Sequence, residues 1–294
     1  MFVLNRRNLL KIAGAAAGAA LLPKTAFAGV SGSQVFTSDA SSALVDSTVL
    51  MGEEKAVLID AQFTVPAATQ LADIIDATGR RLETIFITHG HPDHYLGLEV
   101  FKSRFPDVQI FAHPQVKEVI GRRGQNSLDY FNSTAPAGVF ASNVVVPEEL
   151  EQDHIMLEGA RINILEPMHG DTALICPVHV PSLDLLIAAD IIFADTFVWT
   201  EENTDSAAIN LWRNSLNALE AIGAKTIIPG HQIEGSSQDA SNITHTRRYL
   251  DQWETALATT STAAELDAAM RLGNEHLQLD YCLVRGIAAV YPNG

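Results

Sequence analysis

Basic side chains are scarce in this chain. Lysine and arginine number 19 against 35 aspartates and glutamates, a formal charge of −16 over 294 residues. The imbalance sharpens beyond the N-terminus. The first 28 residues hold Arg6, Arg7, Lys11 and Lys24 but no acid, which leaves the remainder at −20. A body of that charge repels phosphate backbones and anionic lipid, so nucleic-acid substrates are disfavoured. Cysteine is nearly absent. Cys176 and Cys282 are the whole complement, and neither makes a CxxC site. An oxidising compartment would let them pair. Burial as two small hydrophobes is the favoured reading, because Cys176 lies in an apolar, strand-like run. Long apolar runs are missing too. After the N-terminal segment no stretch reaches about 18 uninterrupted apolar residues, so the mature chain is expected to have no stable membrane association. There is no tandem repeat. Hydrophobic residues make up 47% of the chain, ample for the core of one large domain or two small ones.

The N-terminus is a targeting segment and stands outside the fold argument. Arg6-Arg7 opens it, an Ala/Gly-rich apolar stretch runs from Ile12 to Leu22, and Ala26-Phe27-Ala28 offers a small-x-small cleavage site before Gly29. The run is too short and too rich in Ala and Gly for a membrane anchor. Asn5-Arg6-Arg7-Asn8-Leu9-Leu10-Lys11 resembles a twin-arginine export signal, with Asn where Ser or Thr is usual and Leu in place of the common Phe. That resemblance implies a signal peptide over residues 1–28, a folded domain over residues 29–294 and a periplasmic location.

Hydrophobic periodicity divides the rest into strands and helices. Residues 56–60 and 84–88 read as buried strands. Between them Pro66 starts a helix that carries Leu71, Ile74 and Ile75 on one face and ends at Gly79. A short helix is expected from Asp93 to about Lys102, a strand over 108–112 and a helix over 114–121. Residues 121–150 contain Gly121, Gly124, Pro136, Gly138 and Pro147 and read as a long irregular segment, either functional or a surface loop. Strands are expected over 161–165, 172–176 and 185–189, a helix over 210–222, a strand over 226–228 and a long C-terminal helix through Ile243, Leu250, Trp253 and Leu257. The grouping implies two strand-rich halves covered by helices.

Chemistry concentrates in one stretch, Thr88-His89-Gly90-His91-Pro92-Asp93-His94. Three imidazoles and a carboxylate follow directly on an apolar strand. Such a set suits zinc and its first-row neighbours. Three histidines at the end of a buried strand are costly to hide without a metal or other partners. Further donors stand at or near later strand ends: His169, Asp190 after Leu185–Ala189, and His231 after Pro229-Gly230. His113, His154, His179, His245 and His276 read as surface or structural residues. Tyr95, Phe197 and Trp199 stand close enough in sequence to these donors to line a groove or pack beneath it.

This order of donors, HxHxDH followed by a lone His, an Asp and a final His, resembles the metallo-β-lactamase-fold superfamily over roughly residues 33–260. The Leu58-Ile59-Asp60 strand fits the same pattern. The resemblance implies an α/β fold, a four-layer αββα sandwich with a dinuclear site between the sheets. By analogy His89, His91 and His169 bind one ion, Asp93, His94 and His231 bind the second, and Asp190 bridges them. Two Zn2+ are implied, with iron or manganese as alternatives. Seven donors over two ions leave open positions, as a catalytic site requires. Two cations about 3.5–4 Å apart hold a bridging hydroxide at neutral pH, and Asp93 is placed to orient it and move its proton.

The ligand set narrows the activity. His91 stands where diiron relatives carry Glu. Asp190 occupies the position at which true β-lactamases carry Cys or a nearby Ser. The favoured expectation is hydrolysis of an ester, lactone or thioester of a small-molecule substrate. The alternatives are a periplasmic β-lactamase-like amide hydrolase, a mononuclear iron sulfur-transfer or dioxygenase enzyme, and a non-catalytic metal-binding accessory protein.

Overall fold

The computed structural model describes residues 29–292. The signal-peptide and cleavage-site expectations concern residues that lie outside the described ones. Chain order builds the first sheet. β1 (Gly32–Thr37), β2 (Asp46–Met51) and β3 (Lys55–Ile59) form an antiparallel meander. α1 (Val65–Ala77) crosses over to β4 (Arg81–Ile87), which lies parallel to β3. α2 (Pro92–Tyr95) and α3 (Leu98–Arg104) lead to β5 (Gln109–Ala112), and α4 (Pro114–Thr134) leads to β6 (Glu148–Glu149), both parallel additions. The second sheet begins with β7 (His154–Leu157), β8 (Ala160–Ile164), β9 (Val178–Val180) and β10 (Leu185–Phe193), all antiparallel. α5 (Ser206–Ile222) then carries the chain to β11 (Thr226–His231), parallel to β10. α6 (Ser241–Thr259), α7 (Ala263–Arg271) and α8 (Asp280–Val290) follow.

The layering follows from which faces are apolar. Every residue of β10 is buried. Leu185 and Ile187 face the first sheet and join a core with Val57, Ile85 and Ile162. Leu186 and Ala188 face the other way and pack with Trp212, Leu216 and Trp253 of α5 and α6. A strand covered on both faces needs a sheet on one side and helices on the other, and side chains alternating at period two supply both contacts. α1 and α3 cover the first sheet in the same manner through Leu71, Ile75 and Phe101. The result is the αββα sandwich. Each buried Leu, Ile or Phe contributes on the order of 1.5–3 kcal/mol. Cys176 and Cys282 are free thiols, both buried.

Three local expectations need correction. The helix expected over 114–121 continues to Thr134, through nearly half of the segment read as irregular. Its buried face runs Val116, Ile120, Gly124, Leu128 at four-residue spacing. Gly124 belongs to the packed stripe and does not break it; helix burial outweighs a glycine penalty of about 1 kcal/mol. The strand expected over 172–176 is a loop with one isolated bridge, Met168 to Ile175. Asp171 N–H donates to Asp190 O at 3.1 Å and Cys176 N–H to Thr88 O at 2.9 Å, which turns that segment toward the groove between the sheets. The helix expected from Asp93 to Lys102 is two, α2 and α3, separated where Gly97 N–H donates to Gln62 O at 2.9 Å. His179, among the histidines read as surface or structural, lies within β9.

Candidate metal centre

Parallel pairs set the rim. β3 and β4 end side by side and deliver Asp60 and His89; β10 and β11 lie parallel and deliver Asp190 and His231. Ligand sites in α/β sheets gather at such carboxyl ends. His91 precedes α2 in extended backbone (φ −79°, ψ 139°), and Pro92 starts the helical turn that carries Asp93 and His94. Extended and helical residues project in different directions, so one short loop supplies two donor sets. On β10 the register with β11 shifts on both sides of Ala189, whose φ is 47°, and its partner Pro229 cannot donate to the ladder. That bulge lies directly before Asp190.

All the expected donors except His169 converge. Asp190 stands at the centre, with Oδ1 3.2 Å from His94 Nε2 and Oδ2 3.1 Å from His231 Nε2 and 3.5 Å from His89 Nε2. Asp93 Oδ2 lies 3.5 Å from His231 Nε2 and 3.8 Å from His94 Nε2. On the other side His91 Nδ1 is 2.9 Å from Asp171 Oδ2. One group of donor atoms within 4.8 Å of one another comes from His89, His91, Asp171 and Asp190, and another from Asp93, His94 and His231. His169 belongs to neither; its Nε2 sits 2.8 Å from Asn203 Oδ1.

Buried donors without partners show what would fit here. His89 Nε2, His94 Nε2, Asp171 Oδ1 and Asp190 Oδ1 are buried and make no hydrogen bond. Each such atom costs roughly 1–3 kcal/mol. A cation ligated by imidazole and carboxylate would satisfy them together, so the residues fit divalent metal. The electrostatics agree. Burial holds His89 below the usual imidazole range. Burial pushes the Asp171 carboxyl up to about 8, against the pull of His91. Burial also opposes charge on Asp190, but His94, His231 and His89 outweigh it and hold that carboxyl well below its ordinary value. His231 rises to about 9 against burial, through Asp190 and Asp93.

Outer residues orient the donors. His94 Nδ1 donates to Asp60 Oδ2 at 2.9 Å, and Asp60 also accepts from Thr88 N–H and Thr88 Oγ1, each at 2.8 Å. This leaves His94 Nε2 turned inward. Asp60 adopts the left-handed region (φ 60°), and its N–H donates to Phe86 O at 2.9 Å. His231 Nδ1 donates to Ala43 O at 2.8 Å. His91 Nε2 faces Glu202 Oε1 at 3.3 Å, and Thr172 Oγ1 donates to Glu202 Oε2 at 2.9 Å. Such partners set ligand orientation and basicity. Asp60→Asn is expected to weaken the cation at His94 about 10–100-fold in a chelator-competition titration. Unchanged affinity would show that His94 does not depend on this carboxylate.

A cavity of about 850 Å3 opens above the donors. Phe63, Phe131, Phe140, Trp199 and Tyr281 line it, while Asp93, Asp190 and His231 reach its floor. Phe131 and Phe140 come from the segment that sequence reasoning left unplaced. Tyr95 packs in the core, 1% exposed, and Phe197 is buried beneath α6 and α7, so of the three aromatics singled out Trp199 alone lines the cavity. His113 caps α4 by accepting from Gln115 N–H, His154 pairs with Asp153, and His245 Nε2 donates to Thr196 O.

Comparison with known proteins decides the family. The family described as "Metallo-beta-lactamase superfamily" matches residues 41–231, more than half of the chain. The chain belongs to this superfamily. A twin-arginine translocation signal matches residues 3–23, which marks the chain for export. Among the described residues no helix is long and apolar enough to cross a membrane. A curated relative, hydroxyacylglutathione hydrolase 1 of Vibrio vulnificus (strain YJ016), is 30% identical over 90 residues, which is 29% of this chain and 34% of the relative. The match thus spans about a third of that protein's length. Among solved structures, a metallo-beta-lactamase from Pontibacter korlensis has a TM-score of 0.56 at 20% identity, covering 74% of this chain and 93% of its own. The DIM-1 metallo-beta-lactamase has a TM-score of 0.54 at 19% identity, covering 74% and 91%. At those identities the likeness concerns the fold. Sequence reasoning missed Asp171, Glu202 and Asn203. Asp171 carried a signal, a carboxylate two residues from an expected ligand; Glu202 and Asn203 carried none.

Proposed function

We propose that this superfamily member is a periplasmic hydrolase that cleaves an ester, lactone or thioester at a dinuclear divalent-metal centre, with zinc as the favoured ion. One observation carries the reading: at the floor of an aromatic-lined cavity the buried Asp190, a member of one donor set, stands 3.2 Å from His94 and 3.1 Å from His231 of the other. When bound, two cations supply Lewis acidity and lower the pKa of water enough for attack at neutral pH. Asp93, the most exposed carboxylate of the two sets, orients the attacking water and accepts its proton. His94 and His231 hold Asp190 in place, and Asp60 holds His94. The aromatic wall of Trp199, Tyr281 and Phe63 binds the apolar part of the substrate and excludes bulk water from the reacting carbonyl. The hydrolase name of the Vibrio relative supports cleavage of an acyl bond. The twin-arginine match supports delivery of residues 29–294, as one folded domain, to the periplasm. Cell fractionation should find there a chain that begins at Gly29; retention of the full chain in the cytoplasm would overturn this.

The test is elemental analysis of the purified mature chain followed by a substrate panel. Two ions per chain and turnover of an ester, lactone or thioester that a chelator abolishes are expected. A single iron per chain, or a β-lactam as the one substrate turned over, would sink the acyl-ester reading.

A further inference from the structure

We infer that Asp171, not His169, completes the first donor set, so that this cation is held by two imidazoles and two carboxylates. The inference rests on the dinuclear reading above and departs from the assignment that the family resemblance implies.

His169 is turned away from both donor sets. Asn203 is fully buried, and its Nδ2 donates to Gly170 O at 3.2 Å and Asp171 O at 3.0 Å. Those two bonds fix the amide orientation and leave Oδ1 as the acceptor that faces His169. His169 Nε2, 2.8 Å away, must therefore carry the proton and donate. That takes Nε2 out of use, and His169 Nδ1 joins no group of donor atoms lying within 4.8 Å of one another. Asn203 is itself held: its carbonyl accepts from Trp253 Nε1 at 2.8 Å and its N–H donates to Thr200 O at 2.9 Å. The clamp that turns His169 aside is anchored in the second core.

Asp171 has the opposite properties. It is 1% exposed, its Oδ2 meets His91 Nδ1 at 2.9 Å, and its Oδ1 has no partner. Its backbone is tied to Asp190 O at 3.1 Å. The preceding Gly170 allows that approach, since a Cβ there would come within 2.8 Å of Asp190 O. Glu202 engages the far nitrogen of His91 and leaves Nδ1 facing the same point.

The exchange changes the class of cation. A carboxylate in place of an imidazole makes the set richer in hard oxygen donors, which favours manganese and ferrous iron relative to a set of three imidazoles. Asp171 also adds a negative charge that partly neutralises the bound ion.

The experiment compares wild type, Asp171→Ala, Asp171→Asn and His169→Gln by equilibrium dialysis against zinc and manganese, with elemental analysis and, after cobalt loading, the visible ligand-field spectrum. His169→Gln keeps a donor for Asn203 while removing the imidazole. Expected are two ions per chain and an unaltered cobalt spectrum in His169→Gln, against loss of one ion, or at least about a hundredfold weaker binding, in both Asp171 variants. Manganese should compete with zinc in wild type for one of the two positions. Loss of one ion in His169→Gln, or two tightly bound ions in both Asp171 variants, overturns the inference. If wild type binds a single ion, the dinuclear reading fails, and the same comparison of variants still decides whether Asp171 holds that ion.

Discussion

Asp190→Ala is expected to empty both metal positions and to lower hydrolytic turnover by about a thousandfold or more, the equivalent of several kcal/mol of transition-state stabilisation. The reason is its central position. Its two oxygens stand 3.1–3.5 Å from Nε2 of His94, His231 and His89, which belong to both donor sets. Removing it leaves imidazoles facing one another, with the His89 and His94 rings 4.2 Å apart, and no shared anion to offset two divalent charges. Elemental analysis and turnover on the substrate identified by the panel measure the effect, with circular dichroism to establish that the chain is folded. A folded variant that keeps two ions at wild-type affinity would refute the bridging role.

Gly230→Ala is expected to destabilise the fold by about 3 kcal/mol or more and to cost bound metal as well. A Cβ on Gly230 would lie 1.8 Å from Asp190 Oδ1 and 2.8 Å from the backbone of Ala189 and Asp190. The obstacles are a buried carboxylate and the bulged strand that presents it, neither of which is free to swing away. Relief requires β10 and β11 to separate at the site, so stability and metal content should fall together. Thermal unfolding and elemental analysis check both. The double variant Asp190→Ala, Gly230→Ala should recover part of the stability lost in Gly230→Ala, because one obstructing group is gone and neighbouring sites couple. A Gly230→Ala protein that melts within about a degree of the parent and retains its metal would show that the strands accommodate the methyl.

These two variants mark how unevenly the site could be read from the chain. Pro229-Gly230 is visible in the sequence as a turn at a strand exit, yet β11 continues through it to His231. The reason for the glycine is a carboxylate forty residues earlier in the sequence. Asp60 was legible as the end of a buried strand, and its hydrogen bond to His94 arises because β3 and β4 are parallel neighbours. In α4 the reading failed for the opposite reason. Gly121 and Gly124 carry a strong local signal for irregular chain, and packing of Val116, Ile120 and Leu128 overrode it. The displaced strand at 172–176 failed likewise, since backbone bonds to Asp190 and Thr88 draw those residues out of the sheet.

By itself the sequence determined the layers and the chemical kind of the centre. Period-two and helical apolar patterns are local properties, and burial on both faces of β10 follows from an unbroken apolar run. The spacing of His89, His91, Asp93 and His94 around Pro92 is local as well, because extended residues before a proline and a helical turn after it project donors in different directions. Only the tertiary structure decided which way the 168–172 loop faces. His169 and Asp171 are two residues apart and either is a competent donor. The choice between them rests on the amide of Asn203, on the glutamate that turns His91 and on a bulge in β10, all remote in sequence. Local pattern specifies which side chains a segment carries. Hydrogen bonds between distant segments specify which of their atoms remain free to bind.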